Sequence, residues 1–122
     1  MVSGALDYVL KHFAKEVGAT HVIAYVGDEP VGTLRVRWFK SFAMLERLAV
    51  IQRYRGNGVA SLLVERARQL AETRGNNMLY TQALPAYVKS WEKQGWRRLV
   101  AEEAGGAPKR IVAMVKAVDP SK

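Results

Sequence analysis

The sequence predicts a mixed α/β domain whose sheet is mostly antiparallel and contains one central β-α-β crossover. Residues 20–26 and 31–39 are runs of β-forming residues on either side of the turn signal Gly27-Asp28-Glu29-Pro30, which is typical of a hairpin. After Gly58 the apolar residues recur at helical spacing, and a strand-like run returns at residues 78–83. Two strands joined through a helix are expected to lie parallel, with a right-handed crossover.

Length and composition indicate one globular domain, and we expect residues 1–122 to form it. Hydrophobic residues make up 49% of the chain, there is no cysteine, and the histidines are His12 and His21 alone. These counts argue against a disulfide framework, a cysteine nucleophile and a metal site. No apolar run is long enough to span a membrane and Met1-Val2-Ser3-Gly4 does not begin a signal peptide, so we expect a cytoplasmic protein without a membrane partner.

The first element is predicted to be an N-terminal helix over residues 3–17, within the segment 1–18. Ser3 can cap this helix and Gly18 can end it. The apolar residues at helical spacing are Leu6, Val9, Leu10, Phe13 and Val17.

The hairpin follows this helix, and its second strand alternates apolar and polar side chains. Leu34, Val36 and Trp38 are expected on one face, and Thr33, Arg35 and Arg37 on the other. A third strand is predicted over residues 43–51.

A helix is expected over residues 58–74, ended by Gly75-Asn76-Asn77 and followed by a strand at residues 78–83. Pro85 favours the start of a second helix, which Gly95 would end. Two last strands, at residues 96–102 and 111–118, flank a loop that contains Gly105-Gly106-Ala107-Pro108. The predicted order is therefore α-β-β-β-α-β-α-β-β.

The segment Gln52-Arg53-Tyr54-Arg55-Gly56-Asn57-Gly58-Val59-Ala60, here called the phosphate loop, lies between a predicted strand and a predicted helix. Its glycines let the backbone turn tightly, and free N–H groups at a helix N-terminus favour an anion. Arg53 and Arg55 add positive charge that suits phosphate oxygens. The alternative is an ordinary glycine turn into a helix. The loop is not a Walker motif, because no Gly-Lys-Ser/Thr follows, and it lacks the third glycine of the dinucleotide fingerprint.

Three segments, at residues 53–58, 48–50 and 90–96, carry a resemblance to the GCN5-related N-acetyltransferases (the GNAT superfamily). Gln82-Ala83-Leu84-Pro85 and Gly105-Gly106-Ala107-Pro108 resemble segments of its small bacterial members. Arg53-x-x-Gly56-x-Gly58 matches the family's Arg/Gln-x-x-Gly-x-Gly/Ala motif, and Leu48-Ala49-Val50 resembles the end of its fourth strand. Ser90-Trp91-Glu92-Lys93-Gln94-Gly95-Trp96 resembles its Phe-Tyr-Glu-Lys-x-Gly-Phe segment. The resemblance covers residues 20–118 and implies the acyl-CoA N-acyltransferase fold with a shortened N-terminal part, since a strand and two helices usually open the family's fold.

The resemblance implies an enzyme that moves an acetyl group from acetyl-CoA (coenzyme A) to a primary amine of a small molecule or peptide. It implies that the cofactor enters a split between the strands at residues 43–51 and 78–83. The implied cofactor-binding residues are Leu48, Ala49, Val50, Arg53, Arg55, Gly56, Asn57, Gly58, Val59 and Ala60.

Acetyl transfer requires the amine as its free base, so a general base would assist. Glu46 is the candidate, because it lies on the strand that leads to the phosphate loop and shares parity with Met44, Leu48 and Val50. Such a half-buried face would raise its pKa. The alternative is that Glu46 pairs with Arg35 or Arg37 across the sheet.

A general acid would protonate the leaving thiolate, and the family's usual tyrosine is replaced here by Trp91. Tyr87, one helical turn earlier, is the candidate substitute, and its alternative role is packing. Catalysis by proximity alone stays open.

Two further hypotheses stand beside the enzyme, and one of them is suggested by the net charge of +8. One is a coenzyme A-binding module without catalysis, suggested by Trp91 and the short N-terminal part. The other is a nucleic-acid binder, ranked lowest because no helix-turn-helix, RNP aromatics or zinc spacing is found. It would require Arg35, Arg37, Arg97, Arg98, Lys109 and Arg110 on one continuous face. The short N-terminal part also suggests a homodimer, in which a second subunit would complete the acceptor site.

Overall fold

The computed structural model describes residues 7–99 and 111–119. The strands of this part are β1 Tyr8–Glu16, β2 Ala19–Val26, β3 Glu29–Trp38, β4 Phe42–Val50, β5 Met78–Ala83, β6 Arg97–Arg98 and β7 Val112–Ala117. Its helices are α1 Val59–Thr73 and α2 Val88–Lys93, each shortly preceded by a 3-10 turn, at Gln52–Tyr54 and Pro85–Tyr87 respectively.

The described strands form one sheet in the order β1-β2-β3-β4-β5-β7-β6. Every neighbouring pair is antiparallel except β4 and β5, which are parallel and are joined through α1. The predicted mixed, mostly antiparallel sheet with a central β-α-β crossover is therefore confirmed.

The prediction of an N-terminal helix is wrong, because residues 8–16 form the strand β1. This strand pairs with β2 from Tyr8 opposite Val26 to Glu16 opposite Ala19, and only Val17 and Gly18 connect the two. Backbone pairing along β2 outweighs the helical spacing of the apolar side chains, and Val9 is left 49% exposed. The described chain therefore opens with a strand, and the predicted shortening lies in the two-residue connection between β1 and β2.

The helix α1 packs across one face of β2, β3 and β4 and buries its apolar stripe there. The buried helix residues are Val59, Leu63, Val64, Ala67 and Ala71. Opposite them lie Val22, Leu34, Val36 and Leu45 of the sheet. Gly32 lies directly under the helix, and a Cβ atom built on it would be 2.9 Å from Val59 Cγ1. The start of α1 therefore lies close to the sheet at a position where no side chain fits.

The last two described strands are β6, Arg97–Arg98, and β7, Val112–Ala117, where strands were predicted over residues 96–102 and 111–118; residues 100–102 lie outside the described residues. The predicted loop at residues 105–108 lies outside the described residues. Trp96 is buried in the core, and the Trp38 indole donates a hydrogen bond to Thr20 Oγ1 at 2.8 Å. None of the helices described is both long and apolar enough to cross a membrane.

Candidate active site

A cleft opens where β4 and β5 separate. The two strands pair in parallel from Phe42 opposite Met78 to Leu45 opposite Thr81, and Thr81 Oγ1 donates to the Leu45 carbonyl at 2.9 Å. Beyond this point a cavity of about 650 Å³ lies between residues 46–50 and residues 82–84. Its remaining walls come from the phosphate loop, the first turns of α1, and α2 with the turn before it. The predicted split between these strands is therefore present.

A β-bulge at Arg47 shapes the β4 side of the cleft. Arg35 of β3 pairs with Glu46 and Gly32 pairs with Val50, so β4 has one residue more than β3 over this stretch. Arg47 takes the extra position with a left-handed φ of 56°. The predicted shared parity of Glu46 with Leu48 and Val50 is consequently wrong.

The bulge turns Leu48 and Val50 toward the core under α1. Glu46 instead shares the opposite face of the sheet with Arg35, its partner on β3. The strict alternation of side chains between the two faces of β4 breaks at this point, because the bulge moves every later side chain to the other face.

The phosphate loop ends in the N-terminus of α1, as predicted. Gly56 and Gly58 have φ angles of 81° and 83°, which favour glycine, and Gly58 is the N-cap of the helix. The first helical hydrogen bond runs from Leu62 N to the Gly58 carbonyl, which leaves the N–H groups of Val59, Ala60 and Ser61 without helical acceptors. These residues line the cavity, so free donors and the positive end of the helix dipole are available to an anion there.

The structure places the polar residues of the phosphate loop in different roles. Arg55 lines the cavity and donates from Nε to the Val50 carbonyl at 3.0 Å. Arg53 does not line it, because its guanidinium is ion-paired and hydrogen-bonded with Glu29, the first residue of β3. That hydrogen bond, with a weaker one from Tyr54, lowers the pKa of Glu29. Arg53 thereby fastens the loop to the sheet, and its contact with phosphate stays a prediction.

Asn57 also points into the loop itself. Its Nδ2 group donates to the carbonyls of Tyr54 and Arg55, at 3.2 Å and 3.3 Å. Asn57 is not among the residues that line the cavity. It therefore stabilises the turn, and a direct contact of its side chain with a ligand stays a prediction.

Glu46 lines the cavity at the strand split and takes part in an ion-pair network. Arg35 Nη1 donates to Glu46 Oε2, and Arg37 Nη1 donates to Oε1 at 3.4 Å. The pairing with Arg35 and Arg37 that the sequence left as an alternative is thus present. The Glu46 side chain is 24% exposed, and each carboxylate oxygen has a lone pair left for another donor.

Glu16 extends this network, and sequence reasoning missed it because a helix was expected there. Arg35 donates to Glu16 from Nε at 3.0 Å and from Nη2 at 2.9 Å, and His21 Nε2 lies 2.6 Å from Glu16 Oε1. The hydrogen bonds from Arg35 and then from His21 lower the pKa of Glu16 from its usual 4.5 to about 2. His21 therefore has a structural partner.

The wall opposite β4 comes from β5 and the α2 region. Tyr87 lines the cavity and is 57% exposed, which argues against the alternative of a packing role. Trp91 lines the cavity as well, and its ring meets that of Trp96 edge to face with 4.9 Å between centroids. Gln82, Ser90 and Gln94 also line it. The position of Gln82 could have been predicted, because it lies near the carboxyl end of β5 and ligands bind beyond the carboxyl ends of parallel strands.

The four described basic residues of the set that a nucleic-acid binder would need, Arg35, Arg37, Arg97 and Arg98, do not form a continuous face. Arg35 is neutralised by Glu16 and Glu46. Strands β4, β5 and β7 separate β3, which carries Arg35 and Arg37, from Arg97 and Arg98 on β6. Lys109 and Arg110 lie outside the described residues. In the described ranges, no three His, Asp or Glu side chains are placed to hold a metal ion.

Comparison with known proteins identifies close similarities of sequence and fold. The model of the acetyltransferase (GNAT) family matches residues 3–96. The uncharacterized N-acetyltransferase YjcF of Bacillus subtilis is 29% identical over 68% of this chain and 59% of that protein. A second Bacillus subtilis relative is matched over 52% of its length, so the chain spans somewhat more than half of each of these relatives.

Two solved structures share the fold at low sequence identity. The IAA acetyltransferase from Bacillus cereus superimposes with a TM-score of 0.75 at 14% identity, over 91% of this chain and 99% of that chain. The PaiA N-acetyltransferase from Thermoplasma acidophilum, solved in complex with coenzyme A, gives a TM-score of 0.72 at 14% identity, over 82% of this chain and 61% of that chain.

Proposed function

The chain belongs to the acetyltransferase (GNAT) family, and on that premise we propose that it moves an acetyl group from acetyl-CoA to a primary amine. The acceptor is a small molecule or a peptide. The observation that carries the proposal is the cleft between β4 and β5, which ends at the free N–H groups of α1. An anionic cofactor with an extended arm fits this combination.

The phosphate loop would hold the coenzyme A pyrophosphate. Its glycines Gly56 and Gly58 leave the backbone open, since a Cβ atom on either would meet nothing within 4 Å. The N–H groups of Val59, Ala60 and Ser61 would donate to phosphate oxygens, and the exposed Arg55 would add charge. The Thermoplasma neighbour, solved with coenzyme A, supports this ligand.

The pantetheine arm would pair with the backbone of β4 in the manner of an added strand. The pairing of β4 with β5 ends at Leu45, so the β5-facing edge at Leu48, Ala49 and Val50 has no strand neighbour in the described sheet. These residues line the cavity between the phosphate loop and the strand split. The thioester would then lie near Glu46 and Thr81.

In the reaction, the amine nitrogen attacks the thioester carbonyl, the C–N bond forms, and the C–S bond breaks. The proton lost by the amine balances the proton gained by the thiolate. Glu46 would accept the amine proton through its remaining lone pairs, and the Tyr87 hydroxyl would protonate the thiolate. Holding both substrates in the cleft would supply the rest of the acceleration.

A thermal-shift titration with acetyl-CoA, followed by a thiol-release assay with an amine panel, tests the proposal. A ligand that binds only the folded state raises the melting temperature as its concentration rises. We expect both a shift and acceptor-dependent thiol release. A shift without release to any amine would favour the non-catalytic coenzyme A-binding module, which Trp91 and the paired Glu46 make the second candidate. No shift at millimolar acetyl-CoA would refute both.

A further inference from the structure

A second, smaller cavity adjoins the cleft at its Glu46 end. It has a volume of about 250 Å³, and Glu46, Arg47 and Gln82 line both cavities. Arg37, Met44 and Leu45 complete its lining. Arg37 and Met44 pair across β3 and β4, next to the pair formed by Arg35 and Glu46, on the sheet face away from α1. The small cavity therefore meets the cleft at the point where the thioester is expected.

The charges around this small cavity are unequal. Glu46 supplies one carboxylate, whereas Arg37 and Arg47 supply two guanidinium groups. Arg35, the neighbour of Glu46 on β3, uses all three of its nitrogen atoms in hydrogen bonds to Glu16 and Glu46. Its charge and that of Glu16 compensate each other, so the cavity lining keeps an excess of positive charge.

Arg37 and Arg47 still have donors to offer. Arg37 makes a single long hydrogen bond to Glu46, at 3.4 Å, and lies over the Phe39 ring with its side chain 45% exposed. Arg47 is 73% exposed and approaches Glu46 only to 4.0 Å, beyond hydrogen-bond distance. A guanidinium has five N–H donors in a fork that matches carboxylate and phosphate oxygens.

We propose that the acceptor is a small amine that carries its own anionic group, as a free amino acid does. This inference rests on the proposed function and narrows its acceptor class. The anionic group lies between Arg37 and Arg47, and the amine lies against Glu46, facing the thioester. In a peptide the α-carboxylate of the N-terminal residue is replaced by an uncharged amide, and a cavity of about 250 Å³ suits a molecule of amino-acid size. The anion is a carboxylate or a phosphate, which the test separates.

The test compares amines with and without this charge, and each rate is expressed per free-base amine, because the neighbouring anion also raises the pKa of the amine. Each of a panel of amino acids is paired with its own carboxamide, and O-phosphoethanolamine is paired with ethanolamine. With wild-type protein and acetyl-CoA, we expect kcat/KM for the preferred acid to exceed that for its amide by about tenfold or more, since a hydrogen bond to a charged group contributes on that scale. The pair with the larger ratio identifies the carboxylate or the phosphate.

The variants Arg37→Gln and Arg47→Gln assign the effect to these two side chains. Each should raise KM for the anionic acceptor by about tenfold and move the acid-to-amide ratio toward one. Arg66→Gln, which removes the same charge from α1 outside both cavities, is the matched control and should keep the wild-type ratio. Equal rates for acid and amide in the wild-type protein would overturn the inference while leaving acetyl transfer intact.

A binding measurement keeps the inference separate from the proposed function. In the presence of coenzyme A, the anionic amine should raise the melting temperature more than its amide, and Arg37→Gln should remove the difference. This result would support the acceptor class even if no product formed, in which case the proposed function alone would fail. If no anionic amine raised the melting temperature, the inference would be overturned.

Discussion

Gly32 is the position where a single methyl group should disturb both the core and the phosphate loop. A Cβ atom there would lie 2.9 Å from Val59 Cγ1, 3.1 Å from Leu63 Cδ1 and 3.4 Å from the Ala49 carbonyl oxygen. Carbon atoms prefer about 3.5–4.0 Å, so Val59 would have to retreat by about 0.6 Å. Val59 is β-branched and in a helix, which makes a change of its rotamer costly.

We expect Gly32→Ala to lower the free energy of unfolding by about 1–2 kcal/mol. Overpacking costs about 1–3 kcal/mol, and replacing a strand glycine with alanine returns about 0.5–1 kcal/mol of that. Because Val59 is the first residue of α1, its retreat should also weaken acetyl-CoA binding several-fold. Urea unfolding measures the first effect and calorimetric titration with acetyl-CoA the second.

A double-mutant cycle identifies the contact. Val59→Ala removes Cγ1, so the combined Gly32→Ala/Val59→Ala variant should lose about 1 kcal/mol less than the sum of the single variants. Val64→Ala is the control, because Val64 lies on the same helix but has no atom among those nearest to Gly32. Its effect on the free energy of unfolding should add to that of Gly32→Ala. Full additivity with Val59→Ala, or a Gly32→Ala protein as stable as the wild type, would refute the reasoning.

Substitutions at four further positions test the cleft and the ion-pair network around Arg35. Ala60→Glu should stabilise the N-terminus of α1 yet weaken acetyl-CoA binding by roughly tenfold or more, because its carboxylate repels the pyrophosphate. The neutral variant Ala60→Gln should bind acetyl-CoA nearly normally, and calorimetric titration measures both affinities. Glu46→Gln should lower kcat by about a hundredfold with unchanged acetyl-CoA affinity, and full activity would remove Glu46 as the base. Tyr87→Phe should lower kcat with unchanged acetyl-CoA affinity, and an unchanged kcat would assign the proton to water. The pKa of Glu16 is lowered to about 2, so its pairing stabilises the folded state above pH 4.5, and this stabilisation is lost as the pH falls toward 2. Glu16→Gln should therefore make the free energy of unfolding, measured with urea, depend less on pH in this acid range. An unchanged pH dependence would contradict the pairing with Arg35.

The N-terminal segment shows where apolar spacing misleads. The spacing of Val9, Leu10, Phe13 and Val17 fits one face of a helix, yet the chain pairs with β2 as an edge strand. Edge strands need not bury every apolar residue, so their spacing carries little information about their structure. The helix assignment also hid Glu16, which completes the ion-pair network around Arg35.

The glycine turn and the crossover that border the cleft followed from local signals, whereas the split between the strands was implied by the family resemblance. The phosphate loop combines Gly56 and Gly58 at positive φ with a helix that begins directly after them, and both features depend on neighbours in the chain. The change of apolar period at Gly58 likewise predicted the β-α-β unit and hence the parallel pair that separates beyond Leu45.

The sequence by itself thus determined the crossover, the glycine turn and the helix start that together make an anion site, because each is encoded within a few residues. Only the tertiary structure decided the rest. The bulge at Arg47 depends on the register between β3 and β4, and it is what places Glu46 with Arg35 rather than with Leu48. The partner of Arg53 is Glu29, 24 residues away at the start of β3. Such contacts join distant segments, and their geometry is settled by packing and strand register rather than by local propensity.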